Sequence, residues 1–176
     1  MRSSDSISSP PATRNRPVVT LRSFEIGDRE FFASLATDER VVKFVGDGSP
    51  WSAEQIDSRI DLALRGLPAS EPGAVRWYVA ETEGERAGLF VASRREDTVE
   101  VGYWLAPARW GQGLAGVMLD AGLLVVREVF GALDVEAHID PANVASVAMV
   151  ERRAFRFVGR ADGIGRYVRA PGAYAA

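Results

Sequence analysis

The 176-residue chain has no cysteine, a single histidine (His138) and a single lysine (Lys43). Without cysteine there can be no disulfide, no thiolate nucleophile and no Cys-ligated zinc. One histidine excludes a His-cluster metal site and argues against a Ser-His-Asp triad. Lys43 stands far from the glycine-rich turn at residues 110–116, so that turn is not a Gly-Lys-Ser/Thr phosphate loop. No apolar run approaches the roughly 20 residues needed to cross a bilayer, and no membrane partner is expected. The net charge is −3 with the basic residues scattered, which argues against a nucleic-acid surface. The first 16 residues are rich in Ser, Pro and Arg and lack an apolar h-region. They read as a disordered tail, not a secretory signal, and a cytoplasmic location follows by default.

The remaining composition, 47% apolar and 26% charged, is that of an ordinary globular protein. One domain over residues 17–172 is expected, with a core large enough to fold alone. Residues 18–22 read as a first strand. Asp28 is positioned to cap a helix carrying Phe31, Phe32 and Leu35, and a short helical piece carries Val41, Val42 and Val45. Ser52 and Gln55 match a capping box, followed by Ile56, Ile60 and Leu64 at helical spacing. Residues 75–80 and 87–92 read as a hairpin around Glu83-Gly84-Glu85. Residues 98–105 form a further strand. The helix after it carries a predicted apolar stripe of Leu114, Val117, Met118, Ala121, Leu124 and Val125. Strands at 133–139, 157–160 and 166–169 complete an order β-α-α-β-β-β-α-β-α-β-β. The strand–helix–strand passage around residues 98–139 implies a right-handed parallel crossover, and the hairpins make the sheet mixed.

The most informative stretch is the turn Trp110-Gly111-Gln112-Gly113-Leu114-Ala115, leading straight into a long amphipathic helix. Small residues let a ligand approach main-chain N–H groups. The free N–H groups of a helix's first turn, with the positive end of its dipole, suit a phosphate. No acidic or hydroxyl side chain crowds the turn, so the anion must come from outside. Gly111, Gly113 and Gly116 also fit G-x-G-x-x-G literally. A dinucleotide fold, however, places that motif after an early strand and needs an acidic residue about 20 positions on; Asp134 is only a loose match.

A second motif is Asn143-x-x-Ser146 running on to Glu151-Arg152-x-Ala154-Phe155, which reads as an Asn-capped helix, a tight turn and a strand. Together the two motifs resemble the coenzyme A loop and following helix of the GNAT acetyltransferases. The strand text Glu100-Val-Gly-Tyr-Trp-Leu105 is similar to the branch named for ribosomal-protein N-terminal acetyltransferases. The resemblance covers residues 17–170. It implies a three-layer fold with a central, mostly antiparallel sheet flanked by helices, acetyl-CoA as co-substrate and an amine acceptor. It further implies coenzyme contacts from Trp104, Leu105, Arg109, Trp110, Gly111, Gln112, Gly113, Leu114, Ala115, Gly116, Asn143 and Ser146. Two departures stand out. Trp110 replaces the usual loop-opening Gln or Arg, leaving Arg109 as the nearest substitute for neutralising phosphate. Ala154 replaces the usual Gly; in a left-handed geometry that costs on the order of 1 kcal/mol.

Acetyl transfer to an amine needs a neutral nucleophile and a proton for the leaving thiolate. An α-amine, with a pKa of about 7.7–8.0 against about 10.4 for a lysine side chain, needs only a weak base. Glu100 is the candidate base, sharing a strand face with Gly102 and Trp104. The alternative is a solvent-facing strand residue or an ion-pair partner for Arg94 or Arg95. In the resemblance Ser146 lies near the coenzyme sulfur as a general acid, and Asn143 holds the pantetheine arm; read locally, Asn143 is an N-cap and Ser146 competes for helix-start backbone groups. Of the tryptophans, Trp51 and Trp110 carry functional weight. His138 reads as structural or exposed. The expectation is therefore an N-acetyltransferase, monomer or homodimer, working by direct attack because no cysteine can carry an acyl group. A coenzyme A-binding sensor without turnover and, more weakly, a dinucleotide-binding domain are the alternatives.

Overall fold

The computed structural model describes residues 17–173, so the predicted tail at 1–16 lies outside the described residues. In chain order the elements are β1 (Thr20–Ser23), α1 (Arg29–Ala36), α2 (Glu39–Val42), α3 (Ala53–Leu64), β2 (Val75–Thr82), β3 (Glu85–Arg94) and β4 (Thr98–Leu105). Then follow α4 (Leu114–Phe130), β5 (Asp134–Ile139), α5 (Val144–Glu151), β6 (Arg156–Ala161) and β7 (Ile164–Arg169). The seven strands form one sheet in the order β1-β2-β3-β4-β5-β7-β6. Only β4 and β5 pair in parallel, joined by the α4 crossover; every other neighbouring pair is antiparallel. The expected three-layer α/β fold is the observed one. Three helices, not two, precede the hairpin, because the short piece at 39–42 is separate from α1.

Strand alternation divides the core between the two sheet faces. Val75, Trp77, Val79 and Leu89 point to one face, where Phe32 and Leu35 of α1 and Ile56 and Ile60 of α3 cover them. Tyr78, Phe90, Val99, Val101, Val135, Ala137 and Ile139 point to the other, under α4 and Val150 of α5. The β2–β3 hairpin closes through Glu83 and Gly84, both at positive φ, the signature of a two-residue I′ turn.

Three expectations need correction. Leu124 is 72% exposed. The buried line of α4 runs instead through Leu114, Met118, Leu119, Gly122 and Val126, because Gly122 is where the helix meets the sheet: a Cβ there would overlap the Phe90 ring. Leu64, the last member of the predicted α3 stripe, is exposed at the helix end. Asp28 precedes α1 but caps it with no side-chain hydrogen bond. Its buried carboxylate turns back to accept from Arg22 Nη1 at 2.7 Å, Arg22 Nη2 at 2.8 Å and the Glu25 N–H at 3.0 Å. Those hydrogen bonds, Arg22's first, hold the Asp28 carboxyl below the usual carboxylate range.

Candidate functional site

The glycine turn is built to leave donors free. After β4 a 3₁₀ turn at Pro107–Arg109 brings the chain round to Gly111 (φ 74°) and Gly113 (φ 75°), and Gly113 opens α4 without a side-chain cap. Among the described residues nothing accepts from the N–H groups of Gly111, Gln112, Gly113, Leu114, Ala115 or Gly116. A cluster of unpartnered N–H groups at the start of a 17-residue helix is a cradle for an anion. Two side chains hold the turn against the sheet: the Trp110 indole N–H donates to the Leu105 carbonyl at 2.8 Å, and Gln112 Nε2 donates to the Ala108 carbonyl at 3.1 Å. Trp110 and Gln112 thus brace the cradle. Arg109 does not point into it, since its guanidinium is paired with Glu85 on the hairpin. Gly116 also has a packing reason: a Cβ there would stand 2.5 Å from Arg153 Nη2, whose guanidinium crosses α4 to grip Asp120 at 2.6 and 2.9 Å.

Beside the turn the sheet opens. The β4–β5 ladder ends at Glu100↔Glu136, although β4 continues to Leu105 and β5 to Ile139. Beyond Glu100 one edge of β4, including the main chain at Trp104 and Leu105, therefore has no strand partner. This slot runs from the free N–H groups of α4 toward Glu100. Its other wall ends in a loop where the Ala142 N–H donates to Asp140 Oδ1 at 2.8 Å, and Asn143 Oδ1 caps α5 by accepting the Ser146 N–H at 3.2 Å. The cap reading of Asn143 is thus realised, and it fixes Ser146 in the first turn of α5.

Glu100 and Trp104 line a cleft of about 260 Å³ on the α1/α3 face, together with Gly102, Trp51 and Trp77. Gly102 leaves the floor of the cleft clear, with nothing within 4 Å of where a Cβ would stand. Phe32, Trp51 and Trp104 interlock with centroid separations of 5.1–5.9 Å. Glu100 is partly exposed and accepts from Arg95 Nε at 2.9 Å, so the ion-pair alternative is also realised. A bridging arginine does not remove the carboxylate from the cleft.

Two further residues stand here that the sequence reading passed over. His138 on β5 brings Nδ1 to 3.6 Å from Glu100 Oε1 and Nε2 to 3.8 Å from Glu136 Oε1. Strand parity gave its face, opposite buried Ala137 and Ile139, but only the β4–β5 register brings it beside Glu100. Among the described residues no three such side chains come together as a metal site. Tyr103, on the opposite face of β4, has the one buried side-chain polar atom among the described residues that lacks a hydrogen-bond partner. Burial pushes its phenol up, with the neighbouring Ser146 hydroxyl and the Arg153 charge acting the other way. It stays protonated and able to donate.

The acetyltransferase (GNAT) domain model matches residues 19–156. A curated relative, the FsC-acetyl coenzyme A-N(2)-transacetylase of Aspergillus fumigatus, is 30% identical over 132 residues, 69% of this chain and 55% of the relative. The chain thus spans about half the length of that relative. The fold is similar to that of the Vibrio cholerae spermidine N-acetyltransferase in complex with CoA and spermine, with a TM-score of 0.74 at 18% identity over 87% of this chain and 95% of that one. It is similar also to the aminoglycoside acetyltransferase AAC(6')-Ib in complex with coenzyme A, with a TM-score of 0.72 at 16% identity, covering 87% and 95%. A third similar structure is the ribosomal L7/L12 α-N-protein acetyltransferase RimL in complex with coenzyme A, with a TM-score of 0.71 at 18% identity, covering 87% and 94%. With the family model spanning residues 19–156, most of the chain, the chain belongs to the GNAT acetyltransferase family.

Proposed function

We propose that this chain is an acetyl-CoA-dependent N-acetyltransferase whose domain takes in residues 17–172 and which acetylates a primary amine by direct attack in a ternary complex. One observation carries the reading: the unpartnered N–H groups of residues 111–116, the unpaired edge of β4 and the Glu100 cleft lie end to end. That order matches a coenzyme with phosphate at one end and a reactive thioester at the other. Acetyl-CoA supplies the activated carbonyl and a thiol leaving group. Gly111, Gly113, Leu114 and Ala115 offer main-chain donors to its pyrophosphate, while Asn143 and the main chain at Trp104 and Leu105 border the arm. Gln112, Trp110 and Gly116 shape the turn, while Arg109 is held by Glu85 beside it.

At the reacting end, Glu100 accepts the proton that the amine sheds as its nitrogen bonds to carbon, with His138 beside the carboxylate. Ser146 and Tyr103 hold hydroxyl protons on the other side of the slot, ready for the sulfur as the carbon–sulfur bond breaks. Overall, one N–H proton moves to the thiolate and no external oxidant or reductant is needed. A cleft of about 260 Å³ walled by aromatic rings lies just below the usual range for small-molecule sites. It favours a small amine over the folded-protein N-terminus that the RimL-like branch would suggest. Acetyl-CoA is an intracellular metabolite, so the reading carries a cytoplasmic location with it.

The test is amine-dependent thiol release from acetyl-CoA, with the amide product identified by mass spectrometry. Release with at least one primary amine supports the enzyme. Coenzyme binding without release for every amine and peptide tried would favour the sensor reading instead.

A further inference from the structure

Resting on the acetyltransferase reading, the lining of the acceptor cleft constrains the body to which the amine is attached. The walls are flat and apolar. Phe32 stacks on Trp104 at 5.5 Å and Trp51 closes edge-on against Trp104 at 5.1 Å, so the rings are locked into one arrangement and present a slot rather than a flexible surface. The charges are asymmetric. Among the described residues Glu100 is the only carboxylate lining this cleft, and Arg95 is already on it, whereas Arg59 lines the same cleft and forms no ion pair. The Arg59 guanidinium stands 5.6 Å from the Trp51 ring centroid, and of the three acids on its own helix (Glu54, Asp57 and Asp61) Asp57 is held at 2.6 Å by Arg29. The outer groove that continues past Trp51, Arg59 and Leu62 adds Glu54 and Arg65, one acid and one further base. Across the joined grooves guanidinium groups outnumber carboxylates.

A polycation finds little here. One ammonium can face Glu100 and a further one finds only Glu54, in the outer groove beside Arg59 and Arg65, while Arg59 already occupies the ring face of Trp51 on which a cation would otherwise rest. An acceptor that uses the whole lining has three parts: a single primary amine toward Glu100, a flat apolar body laid against the tryptophan rings, and an anion toward Arg59. The anion completes a charge-assisted pair that the protein leaves open.

We propose that the acceptor is a small aromatic monoamine bearing a carboxylate or similar anion, and that Arg59 selects it over the polyamine class. The probes are 2-phenylethylamine, 4-(2-aminoethyl)benzoate and spermidine, each assayed for kcat/KM at saturating acetyl-CoA. The benzoate is expected to exceed phenylethylamine by about tenfold, the equivalent of about 1.4 kcal/mol, with spermidine slowest. Arg59→Gln should bring the ratio between the two aromatic amines close to one, and 1 M salt should shrink it in the wild type. A ratio near one in the wild type, a preference for spermidine, or equal loss on both aromatic amines in Arg59→Gln would overturn the proposal. Calorimetric binding of the same two aromatic amines to the CoA-saturated protein reads the same ratio without turnover. Absence of thiol release with every amine would refute the enzyme reading, while this binding ratio decides the selectivity on its own.

Discussion

Gly113→Val separates the anion cradle from an ordinary tight turn. Gly113 sits at φ 75°, a conformation that costs an L-residue about 1–2 kcal/mol and a β-branched one more. No heavy atom lies within 4 Å of where its Cβ would stand, so strain, not collision, limits the loss of stability. At about 2–4 °C per kcal/mol for a chain of this size, the melting temperature should fall by roughly 2–8 °C and the protein should remain folded at 25 °C. The effect on binding is larger in consequence. Either the valine side chain stands in the open space before the N–H groups of Leu114 and Ala115, or the peptide turns to relieve φ and misdirects them. Losing one charge-assisted hydrogen bond to phosphate costs about 1.5–3 kcal/mol, which is more than tenfold in Kd. The assay is calorimetric titration with acetyl-CoA beside far-UV spectra and melting curves, with Gly113→Ala as the intermediate case. Unchanged affinity in a folded Gly113→Val protein would refute the cradle.

Ala154, at φ 62°, closes α5 in a Schellman turn, with the Phe155 N–H on the Val150 carbonyl and the Ala154 N–H on the Glu151 carbonyl. Ala154→Gly should raise stability by about 0.5–1 kcal/mol, the relief of strain exceeding the added chain entropy, and a melting curve reads it. Asp28→Asn should lower stability at neutral pH by about 2–3 kcal/mol, discounted because Arg22 is partly exposed. The folded carboxyl titrates below the unfolded value of about 3.9, so its contribution is complete above that pH and is lost as pH falls through the lower folded value. Urea melts should show wild type and variant converging below about pH 4. Tyr103→Phe removes an unpartnered buried hydroxyl, so stability should hold or rise slightly while thiol release slows about tenfold or more; unchanged turnover would leave Tyr103 a packing residue.

Local signals carried much of this molecule. The Ser52–Gln55 capping box, the Glu83–Gly84 turn and the Asn143 cap each depend on a few adjacent residues whose chemistry admits little else. The geometry of the turn before α4 was legible for the same reason: Gly111 and Gly113 stand at positive φ and the helix opens without a side-chain cap. What escaped depends on contacts between separate elements. Leu124 was assigned to the core because helical periodicity has no knowledge that Phe90 needs the space at Gly122. Asp28 looked like a cap until Arg22, from a strand packed beside it, took its oxygens. Arg109 was aimed at the coenzyme but Glu85 of the hairpin holds it. His138 and Tyr103 were on the correct strand faces by parity, yet their neighbours Glu100 and Ser146 are set by strand register and by the packing of α5.

The central claim is that Glu100 takes a proton from an amine at the open end of the β4–β5 slot. The most direct measurement compares wild type with Glu100→Gln in amine-dependent thiol release, with acetyl-CoA affinity determined on the same preparations. Glutamine keeps the shape of the side chain and loses its proton acceptance. The account predicts a fall in turnover of roughly 10²–10⁴-fold with coenzyme affinity unchanged. Full turnover in Glu100→Gln, with amines of both low and high pKa, would contradict it.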